Sequence, residues 1–204
     1  MSSIMEKSLL TRLRDRKTGT ALFRETAEKL THILAEKSFH YLKGKKTSVQ
    51  TPFEKTTGFA LSGNIVLVPI LRAGLGFLPT FLYYFKNAKV GFIGLKRDEK
   101  TAEPREYYRN IPKITKDDLV IVLDPMIATG GSALAALRIL ESQGIKENRI
   151  IFVSLICAPQ GLKRVKKNFP KIKVITVSVE KGLSKDKFIL PGIGDFGDRF
   201  FGTV

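Results

Sequence analysis

Short apolar runs alternate along this chain with longer amphipathic stretches. Ile65–Ile70 (IVLVPI), Val90–Leu95 (VGFIGL), Leu119–Leu123 (LVIVL), Ile150–Ile156 (IIFVSLI) and Val174–Val179 (VITVSV) have strand length and read as strands. Most lack a polar alternate face, the pattern of strands buried on both sides of a parallel sheet. Between them, Leu75–Phe85, Ser132–Ser142 and Pro159–Asn168 predict helices, the second ended by Gly144 and the basic third by Phe169–Pro170. Upstream, Thr20–Lys43 predicts an amphipathic helix: Leu22, Phe23, Ala27, Leu30, Ile33, Leu34 and Ala35 fall near one face. Strands spaced by helices predict an α/β fold with a central parallel sheet. One domain is expected over residues 1–204, its N-terminal helical segment running to about residue 48.

Two segments break the alternation. Lys96–Asp118 is polar, carries Pro104 and Pro112, has no helical period, and is long enough to suggest a functional flap. Lys181–Val204 is glycine-rich. Ile65–Phe85 is the best membrane candidate by hydropathy, but Arg72 sits inside it and Pro69, Gly74, Gly76 and Pro79 punctuate it. An Arg near a bilayer centre costs about 2.5–3.5 kcal/mol, so the segment reads as strand, loop and helix of a folded core. Met1–Leu10 lacks the apolar stretch of a signal peptide.

Composition narrows the classes. With 43% hydrophobic and 26% charged residues the chain is a folded protein and not a basic tail. A compact chain of this mass exposes about 9,600 Å² of roughly 33,000 Å² unfolded, so a core forms without disulfides or structural metal. Cys157 is the only cysteine, which excludes an internal disulfide and fits a reducing, cytoplasmic compartment. It lies in an apolar run and reads as a buried, inert thiol. The two histidines, His32 and His40, have no CxxC or HExxH companion, so no protein-held metal is expected. The charge stands out: 35 Lys+Arg against 19 Asp+Glu gives +16. That excess favours an anionic partner such as a phosphorylated small molecule or nucleic acid.

Three motifs carry chemistry. In the first, the strand Leu119–Leu123 ends in Asp124, a short loop follows, and Thr129-Gly130-Gly131-Ser132 opens a helix. Ligands of open α/β sheets sit at the carboxyl ends of strands. The glycines let backbone N–H groups approach a phosphate, the helix N-terminus adds positive potential, and the Thr129 and Ser132 hydroxyls add donors. Asp124 is placed to accept from vicinal ribose hydroxyls. Thr-Gly-Gly-Ser alone is equally a tight turn with Ser132 as N-cap; the strand, acid and helix around it favour the phosphate cradle. The second motif, Val68–Gly76 (VPILRAGLG), repeats strand, loop and helix, with Arg72 able to fork onto a pyrophosphate. The third, Phe188–Arg199 (FILPGIGDFGDR), contains a formal GxGxxG from Gly192 to Gly197. Too little chain follows for a dinucleotide fold. A loop that offers backbone amides to a small planar ligand remains.

With these three motifs the chain resembles the uracil phosphoribosyltransferases. Leu13–Thr18, Phe23–Glu25 and Val49–Pro52 match that family in kind, so the similarity spans nearly the whole chain. Asp-Pro at 124–125, where most phosphoribosyltransferases carry paired acids, makes the subgroup specific. The resemblance implies a type I phosphoribosyltransferase fold: a central, mostly parallel sheet flanked by helices, a flexible β-arm near residues 96–118 and a C-terminal base-binding hood near 181–204. It implies a salvage reaction in which uracil N1 attacks C1 of 5-phosphoribosyl-1-pyrophosphate (PRPP), giving UMP and pyrophosphate. Mg²⁺ would be bound mainly through PRPP, and GTP acts as allosteric activator in some members. By motif, Asp124, Arg97 and Arg72 would be catalytic. Arg72, Ala73, Gly74, Arg97, Asp124, Pro125, Met126, Ile127, Ala128, Thr129, Gly130, Gly131, Ser132 and Asp195 would bind PRPP. Ile189, Gly194, Asp195 and Phe196 would hold uracil, largely by backbone. A homodimer or higher homo-oligomer is expected, with no membrane and no specific nucleic acid. Phe196 departs from the Ala of many bacterial members. The competing expectation is an RNA-binding regulator on the same fold, motivated by the charge. It would show affinity falling steeply with salt, but the chain lacks an aromatic RNA-binding motif and its cations are scattered.

Overall fold

A computed structural model describes residues 3–97, 104–115 and 117–203. Helix α1 (Ile4–Arg14) opens with a capping box: Glu6 N–H donates to Ser3 Oγ, and Ser3 N–H donates back to Glu6 Oε2. Helix α2 (Thr20–Ser38) packs on it through Phe23, Ala27, Leu30 and Leu34 against Leu9, Leu10 and Leu13. The predicted helix runs too far. Phe39–Tyr41 tightens into a 3₁₀ turn, and Lys43 opens a strand. The N-terminal helical segment therefore ends before residue 43, not near 48. Strands β1 (Lys43–Gln50) and β2 (Lys55–Ser62) form a separate antiparallel hairpin. Both its faces are largely exposed, so no buried face imposes the alternation by which a strand is recognised.

The main sheet begins with β3 (Ile65–Leu71). A 3₁₀ turn at Ala73–Gly76 and helix α3 (Leu78–Tyr84) follow, dividing the single helix expected over Leu75–Phe85. The run at Val90 also divides, into β4 (Lys89–Val90) and β5 (Phe92–Arg97), where Gly91 N–H donates to Leu67 O at 2.9 Å. Strand β6 (Pro104–Asn110) folds back on β5. Then come β7 (Leu119–Leu123), β8 (Met126–Ile127), α4 (Gly131–Ser142), β9 (Ile150–Cys157), α5 (Pro159–Asn168) and β10 (Lys173–Val179). A small hairpin of β11 (Gly182–Leu183) and β12 (Ile189–Leu190) precedes α6 (Phe196–Phe201).

The sheet order is β10-β9-β7-β3-β5-β6, with β4 against β3 and β8 against β9. Its pairings are parallel except β5 with β6. Because successive strand side chains point to opposite faces, each strand feeds two cores. Leu67, Ile121, Leu123, Ile151 and Val153 pack with α1, α2, α3 and α6. Val66, Val68, Val120, Val122 and Phe152 pack with α4 and α5. Each such side chain contributes about 1.5–3 kcal/mol when fully buried. The accessible surface is 11,866 Å², above the about 9,600 Å² of a compact chain of this mass. The hairpin β1–β2, exposed on both faces, contributes to that excess. Among the described residues no helix is long and apolar enough to cross a membrane.

Candidate active site

Parallel pairing sets the site. Strands β3 and β7 run side by side with Pro69 opposite Leu123, so their carboxyl ends lie level. From β3 the chain enters the loop at Arg72 through a cis Leu71–Arg72 peptide. From β7 it reaches Asp124, which is largely buried. The two loops touch at Gly74. A Cβ there would stand 2.3 Å from Leu123 O and 3.1 Å from Pro69 Cα, so only glycine permits this approach.

The loop after Asp124 is tied to β9. Asp124 N–H donates to Val153 O, Leu155 N–H to Pro125 O and Ala158 N–H to Ile127 O, at 2.8–3.1 Å. Met126–Ile127 pairs with Ile156–Cys157 as an added strand where the sequence suggested plain loop. The chain then turns at Gly130, φ +78°, into α4. The first turn of α4 presents backbone N–H groups that no intrahelical carbonyl can accept, beside the Thr129 and Ser132 hydroxyls. Behind the loop, a Cβ on Gly161 of α5 would fall 2.2 Å from Ala128 O, and one on Gly130 would fall 2.9 Å from Gly161 O. Loop and helix therefore meet backbone to backbone. Gly161 was not legible as a site residue, since no motif surrounds it.

Residues 182–201 of the C-terminal tail include β11, β12 and α6. After a cis Leu190–Pro191 peptide, Gly192 and Gly194 turn at φ +65° and +76°. Asp195 then caps α6, its Oδ1 accepting from Asp198 N–H at 2.9 Å. The Phe196 ring is buried, 5.6 Å from Phe23, 6.0 Å from Phe77 and stacked 5.2 Å from Phe200. The aromatic departure at 196 thus anchors the hood in the core.

Between these parts lies a cavity of about 270 Å³. Of the expected site residues, Arg72, Ala73, Asp124, Met126, Ala128, Ser132, Ile189, Gly194, Asp195 and Phe196 line it. Gly130 and Gly131 border a small adjoining recess with Met126, Ile127, Ala128 and Ser132. Gly74, Pro125 and Thr129 sit in the loops that carry these residues and do not form the walls. Arg97 ends β5, and its side chain lies outside the described residues, as do 98–103 and 116 of the expected arm. Lys187 and Phe188 on the hood, and Ile70 and Leu95 on the sheet, also line the cavity. Ile70 and Phe188 fall inside the second and third motifs, whereas no motif announces Lys187 or Leu95.

The electrostatics are mixed. Arg72 is exposed and stands 3.8 Å from Asp198 Oδ1, a contact of little intrinsic stability that an anionic ligand can exchange. Asp124 and Asp195 add carboxylates to the wall. Cys157 behind the loop is buried, and burial pushes its thiol up to about 11. It stays protonated near neutrality and is no nucleophile. Among the described residues no group of three or more His, Cys, Asp or Glu is arranged to hold a metal.

The arrangement fits an elongated ligand with a phosphate at the α4 end, polar groups at Asp124 and a planar group under the hood. The family model described as uracil phosphoribosyltransferase matches residues 1–203. A uracil phosphoribosyltransferase of Thermosipho melanesiensis is 43% identical over 198 residues, covering 97% of this chain and 94% of the relative. One of Limosilactobacillus fermentum is 40% identical over 195 residues, covering 95% and 92%. The solved structure of the AQ2163 protein from Aquifex aeolicus superposes with a TM-score of 0.89 at 35% identity, covering 98% of this chain and 96% of that one.

Proposed function

The chain belongs to the uracil phosphoribosyltransferase family of pentosyltransferases, and from that premise we propose how its cavity carries the transfer of a phosphoribosyl group from PRPP to uracil. The N1–C1 bond forms as the bond from C1 to pyrophosphate breaks. Pyrophosphate leaves with the electron pair, and the N1 proton is released. The observation that carries this reading is the facing of two glycine-bearing loops, at adjacent strand ends, by a glycine-rich hood across one cavity.

Asp124 is assigned to the ribose hydroxyls. Ala128, Thr129, Gly130, Gly131 and Ser132 are assigned to the 5′-phosphate, with Pro125, Met126 and Ile127 holding that loop on β9. Arg72, Ala73, Gly74 and Arg97 are assigned to the pyrophosphate. Uracil is assigned to Ile189, Gly194, Asp195 and Phe196. Positive charge develops at C1 in an oxocarbenium-like transition state, so positioning and fixed charges supply the rate. Asp124 beside the ribose would favour that charge.

The donor set fits a Mg²⁺ carried by PRPP. Asp124 and Asp195 are carboxylates lining the same cavity, and Mg²⁺ commonly takes one or two carboxylates beside substrate phosphates and water. When bound, the ion would neutralise the departing pyrophosphate. The reading also carries a cytoplasmic homo-oligomer, with GTP as an effector to be tested. The RNA-binding alternative finds no support in the named relatives.

The deciding experiment measures pyrophosphate release from PRPP and Mg²⁺ with uracil, cytosine, hypoxanthine or orotate, each with and without GTP. Turnover with uracil alone is expected. No turnover with uracil in either condition overturns the reading. A second test addresses the phosphate cradle. A Cβ on Gly131 would meet only ordinary contacts, 3.5 Å from Pro104 Cδ and Thr129 Oγ1. Gly131→Val is therefore expected to fold, with its methyls occupying phosphate space and raising the KM for PRPP by roughly tenfold or more. A wild-type KM in that variant refutes the cradle.

A further inference from the structure

Lys187 is the one non-glycine residue with positive φ among the described residues, at φ +66°. An L side chain resists this conformation because its Cβ crowds the following carbonyl, and Lys has none of the local hydrogen bonding by which Asn or Asp tolerates it. The residue is exposed, so packing does not impose the geometry. The turn does. Ser184 N–H donates to Phe188 O at 2.8 Å, Lys187 N–H to Ser184 O at 3.0 Å and Phe188 N–H to Ser184 Oγ at 3.1 Å. This closed turn joins β11 to β12 and fixes the direction in which the Lys187 side chain leaves the backbone. Lys187 forms part of the cavity wall, on the hood beside Phe188 and Ile189, in the same cavity as Arg72, Asp124 and Ser132. Among the described residues its ammonium has no acidic partner.

Backbone strain of this kind clusters at active sites and ligand clamps. Among the described residues, Arg72 is the only other Lys or Arg on the cavity wall. We propose that Lys187 binds the pyrophosphate of PRPP from the hood side, opposite Arg72, and so couples seating of the hood to capture of the anionic substrate. This rests on the PRPP and uracil reading above. A lysine suits the task because its ammonium is a compact charge on a flexible stem, able to follow a diphosphate as it departs. Uracil is neutral and gains little from it.

The test compares Lys187→Met, Lys187→Gly and Lys187→Arg with the wild type, by steady-state kinetics in each substrate and by direct titration with PRPP and Mg²⁺. Lys187→Met keeps the Cβ and the stem and removes only the charge. It is expected to raise the KM and Kd for PRPP roughly tenfold, as for loss of one charged hydrogen bond. The KM for uracil should stay within about twofold, and the dependence of PRPP capture on salt should weaken. Lys187→Gly should show the same PRPP defect with a raised melting temperature, because glycine accepts the turn without strain. Lys187→Arg should retain wild-type PRPP binding. Unchanged PRPP KM and Kd in Lys187→Met overturn the proposal, as does a defect confined to uracil. Absence of uracil turnover in the wild type instead overturns the underlying reading, so the two failures are distinct.

Discussion

Gly161→Ala is expected to lower kcat/KM for PRPP by about 100-fold and stability by about 1–3 kcal/mol. Gly161 is on α5, which carries no residue that the motifs assign to substrate, yet its α-carbon faces the phosphate loop. A Cβ there would sit 2.2 Å from Ala128 O, 2.9 Å from Ala128 C and 3.0 Å from Gly130 N. All three are backbone atoms, so no rotamer change relieves the collision. Either α5 withdraws or the loop moves by about 1 Å to restore van der Waals contact. Withdrawal is opposed by Val165 and Phe169, both buried in the core beneath α5, and by Leu162 packed against it. The loop is held from the other side by its bonds to β9. The displacement must therefore be shared, and the backbone N–H groups of the proposed phosphate cradle cannot be re-aimed by a rotamer change as the Thr129 and Ser132 hydroxyls can. Initial rates at varied PRPP, with urea unfolding of the same preparation, measure both effects. Wild-type PRPP kinetics would show that the loop does not need its present position.

The contrast between Gly161 and its neighbours marks what sequence could reveal. Strands β3, β7, β9 and β10 and helices α4 and α5 follow from local pattern, because their side chains are buried on faces that periodicity announces. Asp124, Gly130 and Gly131 are legible for the same reason: strand, acid and glycines occur in one short segment. Hairpin β1–β2 is not, since Lys43, Lys45 and Lys46 on β1 and Thr56 and Thr57 on β2 face solvent and leave no buried stripe. The overlong helix has a related cause. Phe39, Tyr41 and Leu42 continue an apolar spacing while the backbone has already turned. Gly161 and Lys187 owe their roles to where distant segments meet, which no local spacing records. The +16 charge is equally non-local in meaning. Of the described Lys and Arg residues only Arg72 and Lys187 line the cavity, so the substrate accounts for a small part of it.

Arg199→Met is expected to lower stability by about 3–4 kcal/mol, a fall in melting temperature of about 10 °C for a chain of this size. It is also expected to raise the KM for uracil more than that for PRPP. The guanidinium binds four backbone carbonyls. Nη1 donates to Leu13 O and to Ile193 O, the latter at 2.7 Å, and Nη2 donates to Asp15 O at 2.8 Å and Thr18 O at 3.2 Å. Its carbon also lies 4.4 Å from the centroid of Phe23, close enough for a cation–π contact. Three of those carbonyls belong to the end of α1 and the turn into α2, and the fourth belongs to the hood. Arg199 is thus the clasp between the first helices and the loop assigned to uracil. Each charged hydrogen bond contributes about 1.5–3 kcal/mol, but carbonyls freed near the surface recover water, so the total falls well short of a fourfold sum. Lysine offers one ammonium in place of a planar fork and cannot span both segments, so Arg199→Lys should recover less than half of the loss. Because the clasp touches Ile193 and a Cβ on Gly194 would meet Arg199 Cδ at 3.1 Å, loosening it should disturb the uracil side first. The phosphate loop is anchored separately on β9 and α5. Thermal unfolding and the two KM values together check this. A melting shift under about 2 °C, or equal increases in both KM values, would mean that the hood is held in place by Ile193 and Phe196 in the core and not by Arg199.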